Sequence, residues 1–186
     1  VSVASVAVDY ARRIFDHFND KTVLSIGAGK LARLVLQGFA SLQPKRLVVC
    51  NRTPEKAQAL ASEFGGEAAG LDRLDEHLVA GDIVVCSTGS PVPVITRQRF
   101  EGLLRQRRYR PVFLIDIALP RDVEQGVAEL ENVYLYNLDD LQQVVSATVS
   151  QRRETIDSAR AIISAQVEQF MQWNRAREMG DRKSVV

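Results

Sequence analysis

The stretch that decides the fold is Val23-Leu24-Ser25-Ile26-Gly27-Ala28-Gly29-Lys30-Leu31-Ala32. It predicts an apolar strand, a Gly-x-Gly-x-x-Ala turn and the start of a helix, a pattern that binds the pyrophosphate of a dinucleotide. Gly27 permits the tight turn, Gly29 leaves room for the phosphates, and Ala32 lets the helix pack close to the strand. Free N–H groups and the helix dipole then favour an anion at the helix N-terminus.

About 20 residues further on, a second apolar strand ends in the stretch Leu47-Val48-Val49-Cys50-Asn51-Arg52-Thr53. An NAD site usually places Asp or Glu here, where the carboxylate accepts hydrogen bonds from the ribose hydroxyls. Asn51, Arg52 and Thr53 supply no carboxylate that would repel a 2′-phosphate, and a guanidinium can bind a phosphate bidentately. The two motifs together therefore predict a site for NADPH. A glycine-rich turn of some other α/β protein is the alternative.

Strands and helices alternate along most of the chain. The predicted helices are Val3–Phe18, a helix from the glycine turn to about Leu42, Thr53–Phe64, Leu74–Leu78 and Thr96–Arg107. The predicted strands are Thr22–Ile26, Arg46–Cys50, Glu67–Ala69, Asp82–Ser87, Pro111–Asp116 and Val133–Tyr136. This alternation predicts an α/β fold of the Rossmann-like, doubly wound type, with a parallel sheet of about six strands.

Ser87, Thr88 and Gly89 end the fourth predicted strand, at the carboxyl edge where such sheets bind their ligands. We expect their backbone to border the nicotinamide half of the cofactor, and a plain turn is the alternative. The predicted cofactor-binding residues are therefore Gly27, Ala28, Gly29, Lys30, Leu31, Ala32, Asn51, Arg52, Thr53, Ser87, Thr88 and Gly89. No Cys/His cluster has the spacing of a zinc site, and no catalytic residue is assigned.

The segment from Asp139 to about Met179 differs from the rest, because it contains no Gly or Pro. Its apolar residues recur at three- and four-residue steps, at Val145, Val149, Ile156, Ala159, Ile163, Val167 and Phe170. The spacing predicts a long C-terminal helix, either one rod of about 60 Å or two helices with a bend. We expect three parts: a connecting helix over residues 1–20, an NADP-binding Rossmann domain over 21–138, and a truncated long helix with a tail over 139–186.

Composition excludes several classes of function. The 186 residues suffice for one substantial core with an appendage, and a net charge of +1 creates no general attraction to nucleic acid or membrane. No apolar run approaches the roughly 20 residues that span a bilayer, and no signal peptide is visible. Cys50 and Cys86 lie in apolar strands and indicate no disulfide framework. We therefore expect a cytoplasmic protein without a membrane partner and, from its start at Val1 in a helical pattern, a piece of a longer chain.

Six motifs follow one another in a specific order. They are Ser2-Val3 with Ala7-Val8, the Gly-Ala-Gly-Lys turn, Asn51-Arg52-Thr53, Ser87-Thr88-Gly89-Ser90-Pro91, Phe113-Leu114-Ile115-Asp116-Ile117-Ala118-Leu119-Pro120-Arg121-Asp122 and Tyr134-Leu135-Tyr136-Asn137-Leu138-Asp139-Asp140-Leu141. The series resembles the NADPH-binding domain of glutamyl-tRNA reductase, the enzyme that opens the five-carbon route to tetrapyrroles, over nearly the whole chain to about Trp173. The resemblance implies that bound NADPH reduces a tRNA-derived glutamyl thioester to glutamate-1-semialdehyde. It also implies glutamyl-tRNA as a partner of the parent protein, and a homo-oligomeric parent.

Departures from the family limit what this chain can do alone. The resemblance implies a catalytic domain with a cysteine nucleophile and a dimerisation domain, both of which we expect to lie outside this fragment, so we expect the fragment alone to be inactive. The family's third glycine is Ala32 here. Val49-Cys50-Asn51-Arg52-Thr53 looks like the motif around that nucleophile, but a bound cofactor would block the path to Cys50. Two alternatives stay open: a shikimate-dehydrogenase-like NADP oxidoreductase domain, and a stand-alone, non-catalytic NADP-binding module.

Two further groups of charged residues have more than one interpretation. Asp116 and Asp122 flank Pro120-Arg121 at the carboxyl edge of the predicted sheet. We expect them to position a loop or to face the missing domain, and acid–base chemistry is the alternative. The basic run Arg105-Gln106-Arg107-Arg108-Tyr109-Arg110 is expected to be a solvated helix end, with contact to tRNA phosphates as the alternative.

Overall fold

Residues 2–181, the part of the chain that the computed structural model describes, form six α-helices and six β-strands. The helices are α1 (Val3–Ile14), α2 (Lys30–Ala40), α3 (Pro54–Glu63), α4 (Leu74–Ala80), α5 (Arg97–Leu103) and α6 (Leu138–Asp181). The strands are β1 (Thr22–Ile26), β2 (Arg46–Cys50), β3 (Glu67–Ala69), β4 (Ile83–Cys86), β5 (Val112–Asp116) and β6 (Val133–Asn137). All strand bounds lie within one residue of those predicted from the sequence.

The six strands pair in parallel, in the order β3-β2-β1-β4-β5-β6. This order confirms the doubly wound fold, and the strand order reverses between β1 and β4, where such sheets bind their ligands. Alternate side chains of each strand enter different cores. In β1, Val23 packs with α1, α2 and α3, whereas Leu24 and Ile26 pack with α4 and α5. The sheet is therefore covered on both faces, which explains why its strands are nearly continuously apolar.

The first helix ends earlier than the sequence predicts. It stops at Ile14 instead of Phe18, because Phe15 takes an extended conformation with φ −123° and ψ 131°. The Phe15 ring is buried in the core and meets the Phe18 ring edge-on, with 6.4 Å between ring centroids. Burial of the Phe15 ring, packed against the half-buried Phe18, thus outweighs the continuation of the helix.

The fifth helix is also shorter than predicted. It ends at Leu103 instead of Arg107, and the following residues form turns. Arg108 and Tyr109 have φ values of 54° and 53°, in the left-handed region, which ends any helical path before β5. The prediction of a solvated helix end at residues 105–110 was therefore wrong in its secondary structure.

The chain divides into two compact units, Val1–Val145 and Ser146–Val186. The first unit holds the sheet, α1 to α5 and the start of α6, where Asn137 and Asp140 each accept the backbone N–H of the other (3.0 Å and 2.9 Å). In the second unit α6 continues to Asp181 as a single helix, so the alternative of two helices is wrong. Its exposed large apolar residues are Val149, Ile156, Ile162, Ile163, Val167, Phe170, Met171 and Trp173. Within the described residues, no helix has an apolar stretch that could cross a membrane.

Candidate cofactor-binding site

The loops that follow β1, β2 and β4 enclose a cleft of about 490 Å³ at the carboxyl edge of the sheet. Nine predicted cofactor-binding residues line it, namely Gly27, Ala28, Gly29, Asn51, Arg52, Thr53, Ser87, Thr88 and Gly89. The other three, Lys30, Leu31 and Ala32, form the first turn of α2 and are not among the lining residues. The cleft is also lined by residues that were not predicted as contacts, namely Lys56, Leu71, Ser90, Pro91 and Val94.

The two glycines of the turn after β1 are needed for different reasons. Gly27 has a φ of +102°, and a Cβ there would lie 2.7 Å from the carbonyl oxygen and from Oγ of Ser87. The fold itself therefore requires glycine at this position. Gly29 has a φ of −80°, and a Cβ there would come no closer than 4.0 Å to the Ser87 carbonyl oxygen. Among the described residues no close contact requires glycine at position 29, where it serves as the N-cap of α2 and leaves space inside the cleft.

Helix α2 begins at the cleft, with Gly29 in the N-cap position. No side chain caps this end, so the N–H groups of the first turn remain available to an anion. Lys30 is exposed at this turn, Leu31 is half-buried, and Ala32 is fully buried, as close packing of helix on strand requires. The arrangement can hold a pyrophosphate through backbone N–H groups and the helix dipole.

Two cations line the cleft, Arg52 just after β2 and Lys56 in the first turn of α3. Both are exposed, and neither forms an ion pair with a carboxylate of residues 2–173. Asn51 donates Nδ2 to the carbonyl of Thr53 (3.2 Å) and so holds the turn that presents Arg52. Lys56 could have been found from the sequence, because it stands one helical turn beyond Arg52, in the first turn of α3.

Asp116 and Asp122, at the carboxyl edge of β5, are both buried and both bind backbone N–H groups. The Asp116 carboxylate accepts from Ala118 (3.1 Å), Asp122 (3.3 Å) and Val123 (3.0 Å). Asp122 accepts the backbone N–H of Thr88 (2.7 Å) and the Thr88 hydroxyl. These bonds agree with the expected role of both carboxylates in positioning loops.

The cysteines have none of the features of an activated nucleophile. Both are buried at the ends of their strands, and burial raises the pKa of the Cys50 thiol to about 11. Burial likewise raises the pKa of Cys86 well above its ordinary value. At neutral pH both are therefore protonated and poor nucleophiles. Among the described residues, no group of three or more His, Cys, Asp or Glu side chains could hold a metal ion.

Arg107 is fully buried, which corrects the interpretation of the basic run as a solvated or RNA-binding surface at this position. Its Nη1 donates to the carbonyls of Leu78, Val79 (3.1 Å) and Gly81 (2.6 Å), at the C-terminal end of α4. Its guanidinium also lies over the Phe100 ring, 5.7 Å from the centroid. Arg107 thus completes the hydrogen bonding of α4 and takes no part in the cleft.

Comparison with known proteins identifies relatives for most of the chain. Residues 9–144 match the family described as shikimate / quinate 5-dehydrogenase. Glutamyl-tRNA reductase of Trichlorobacter lovleyi is 50% identical over 173 residues, which are 93% of this chain and 40% of the relative. The chain spans 40–43% of the length of the curated relatives it matches. The resemblance indicated by the motifs is thereby confirmed.

Solved structures agree with this result. Glutamyl-tRNA reductase from Methanopyrus kandleri has a TM-score of 0.79 at 40% identity, over 85% of this chain and 40% of that chain. The nucleotide binding domain of glutamyl-tRNA reductase from Thermoplasma volcanium has a TM-score of 0.65 at 22% identity, over 83% of this chain and 98% of that chain. The second likeness bears on the fold alone, and both confirm the Rossmann-like architecture.

Proposed function

We propose that this chain, which belongs to the family described as shikimate / quinate 5-dehydrogenase, is the NADPH-binding part of a glutamyl-tRNA reductase. The extent of the similarity favours this enzyme over a shikimate-dehydrogenase-like one. The family match stops at residue 144, whereas the 50% identity with a glutamyl-tRNA reductase covers 173 of 186 residues. That similarity therefore includes part of α6 beyond residue 144.

Two cations at the cleft, which form no ion pair within the described part of the chain, carry the choice of NADPH. Arg52 and Lys56 line the cleft on the side of β2, where an NAD site would have a carboxylate. The 2′-phosphate of NADPH would meet a planar guanidinium, which can bind it bidentately, and an ammonium group that adds a second positive charge. In the same cleft, Gly29 and the N-terminus of α2 fit a pyrophosphate.

The residues of this chain bind and orient the cofactor. Bound NADPH would supply a hydride that reduces a glutamyl thioester to glutamate-1-semialdehyde. The loop at Ser87–Gly89 would border the nicotinamide half at the carboxyl edge of β4. The nucleophile that forms the thioester has to come from elsewhere in the parent protein, because burial keeps Cys50 protonated.

The same proposal extends to the parent protein. The parent protein would act on glutamyl-tRNA in tetrapyrrole biosynthesis. It would do so in the cytoplasm and as a homo-oligomer. Within it we infer that residues 1–20 connect to a catalytic domain, that residues 21–138 bind NADPH, and that residues 139–186 belong to the long helix.

Titration with NADPH and NADH tests the cofactor choice. Arg52→Ala should weaken NADPH binding about tenfold or more and leave NADH binding nearly unchanged, because a charge-assisted bond contributes roughly 1.5–3 kcal/mol. Lys56→Ala should show the same selectivity with a smaller loss. Arg105→Ala, an exposed arginine that does not line the cleft, is the matched control. Equal losses for both cofactors in Arg52→Ala would refute the assignment of the 2′-phosphate.

A further inference from the structure

Asp122 is a buried carboxylate that forms hydrogen bonds with Thr88, one of the residues that line the cleft. Its carboxylate accepts the backbone N–H of Thr88 at 2.7 Å and the hydroxyl of the same residue. An ionised carboxylate can only accept, so the Thr88 hydroxyl must donate to it, and Thr88 Oγ1 then accepts the N–H of Ser90 (3.1 Å). Asp122 therefore fixes the direction of both hydrogen bonds that the Thr88 hydroxyl makes.

The bond to the Thr88 N–H also determines where the Ser87 carbonyl points. In a trans peptide the N–H and the C=O point in opposite directions. Since the Thr88 N–H is directed to Asp122, the Ser87 carbonyl is directed away from it, toward the glycine turn. Its oxygen lies 2.7 Å from the position of a Cβ on Gly27 and 4.0 Å from that of a Cβ on Gly29. A hydrogen-bond acceptor thus stands at the mouth of the turn.

Further bonds make the loop after β4 and the loop after β5 one unit. The backbone carbonyl of Asp122 accepts the N–H groups of Val94 (2.7 Å) and Ile95 (2.9 Å), and Ile95 pairs with Val123 in an isolated bridge. Asp122 is itself held by Asp116, which accepts its N–H at 3.3 Å. The carboxylate is costly to keep, because burial raises its pKa despite the two Thr88 bonds. Side chains with perturbed pKa values cluster at functional sites.

We propose that Asp122 is a positioning residue of the cofactor site, which holds the Ser87–Thr88 peptide so that the Ser87 carbonyl accepts a hydrogen bond from the nicotinamide half of the dinucleotide. Suitable donors on that half are a ribose hydroxyl and the carboxamide NH2. The inference rests on the proposed function. It assigns to Asp122 a role that is separate from the 2′-phosphate contacts of Arg52 and Lys56.

Two probes separate the halves of the cofactor. Adenosine 2′,5′-bisphosphate carries only the adenosine half, whereas NADPH carries both halves, and its fluorescence reports on the reduced nicotinamide. Asp122→Ala should weaken NADPH binding about tenfold and leave binding of the bisphosphate unchanged. Asp122→Asn keeps an acceptor for the Thr88 N–H and should recover most of the lost affinity. Thr88→Val keeps the shape, loses only the hydroxyl bonds, and should have an intermediate effect.

The outcomes that would overturn the inference are distinct. Equal weakening of both ligands in Asp122→Ala would show a general structural role, and unchanged NADPH binding would show no role. NADPH binding by Asp122→Asn that is as weak as binding by Asp122→Ala would show that the negative charge of Asp122 matters rather than the position of the peptide. If Asp122→Ala does not fold, Thr88→Val provides the test. Weaker binding of NADPH alone supports the inference, whereas weaker binding of both ligands, or unchanged binding of both, overturns it. Failure of the unaltered chain to bind either ligand would overturn the proposed function itself, and this inference with it.

Discussion

Alanine at the two glycines of the turn after β1 should separate folding from cofactor binding. Gly27→Ala puts a methyl group 2.7 Å from the Ser87 carbonyl oxygen, at a φ of +102° that L residues rarely adopt. Gly29→Ala puts the same group where the nearest protein atom is 4.0 Å away, at an ordinary φ of −80°. The first substitution should therefore damage the fold, and the second should damage only the binding of a ligand that crosses the turn.

The magnitudes follow from the geometry. At position 27 the unfavourable backbone contributes about 1–2 kcal/mol and the overlap with Ser87 about 1–3 kcal/mol, so the free energy of unfolding should fall by about 2–5 kcal/mol. That loss corresponds to a decrease in Tm of about 5–20 °C for a chain of this size. At position 29 the poorer N-cap and the stiffer unfolded chain oppose each other, which leaves a change within about 1 kcal/mol. NADPH binding should nevertheless weaken about tenfold or more, since a methyl group would overlap the pyrophosphate.

Thermal unfolding and NADPH titration of the same samples test both expectations. Gly102→Ala is the matched control, because Gly102 lies in α5 with no atom within 4 Å of a Cβ and should gain stability without any effect on binding. A Gly29→Ala chain that binds NADPH like the unaltered chain would refute the placement of the pyrophosphate. A Gly27→Ala chain of unchanged Tm would refute the claim that the fold requires glycine there.

Four further predictions concern the rest of the chain. Arg107→Met should lower the free energy of unfolding by about 2–4 kcal/mol in denaturant titrations, because buried carbonyls lose their donor. Burial raises the pKa of Asp122 in the folded chain above its ordinary 3.8, so the folded chain loses stability as the pH rises from the ordinary pKa through the raised one. Asp122→Asn lacks this titration and should therefore become more stable relative to the unaltered chain between low and neutral pH. The exposed apolar residues of α6 should promote self-association in sedimentation, and Ile163→Asp should weaken it. With glutamyl-tRNA and NADPH the chain alone should form no glutamate-1-semialdehyde; turnover that disappears in Cys50→Ser would contradict this expectation.

The strands and the glycine turn could be predicted because their signals are local. Each buried strand is a short apolar run between turn residues, and the structure places every run in a parallel sheet. The spacing of the glycine turn predicts its role, because Gly27 lies against Ser87 while Gly29, only two residues later, faces open space in the cleft. The end of α1 could not be predicted in this way. The helical spacing continues through Phe15, and only the core behind it shows that its ring is better buried from an extended backbone.

The candidate site was predicted in part for a similar reason. Residues at the ends of β1, β2 and β4 were found, because parallel strands bring their carboxyl ends to one edge of a sheet. Leu71 and Val94 line the same cleft from segments whose sequence carries no signal for a ligand. Their position depends on how the connections after β3 and β4 pack, which local spacing does not describe.

Arg107 and Asp122 show why charged residues are the hardest to interpret from a sequence. A charged side chain is expected at the surface, because burial without partners is costly. Arg107 is buried because it donates to carbonyls 26–29 positions earlier in the chain, and Asp122 is buried because it accepts an N–H 34 positions earlier. In both cases the partner is a backbone group, which nearly every residue possesses, so no pattern of residue types marks it. The role of such a charge becomes visible only when the order of the strands has placed the two segments side by side.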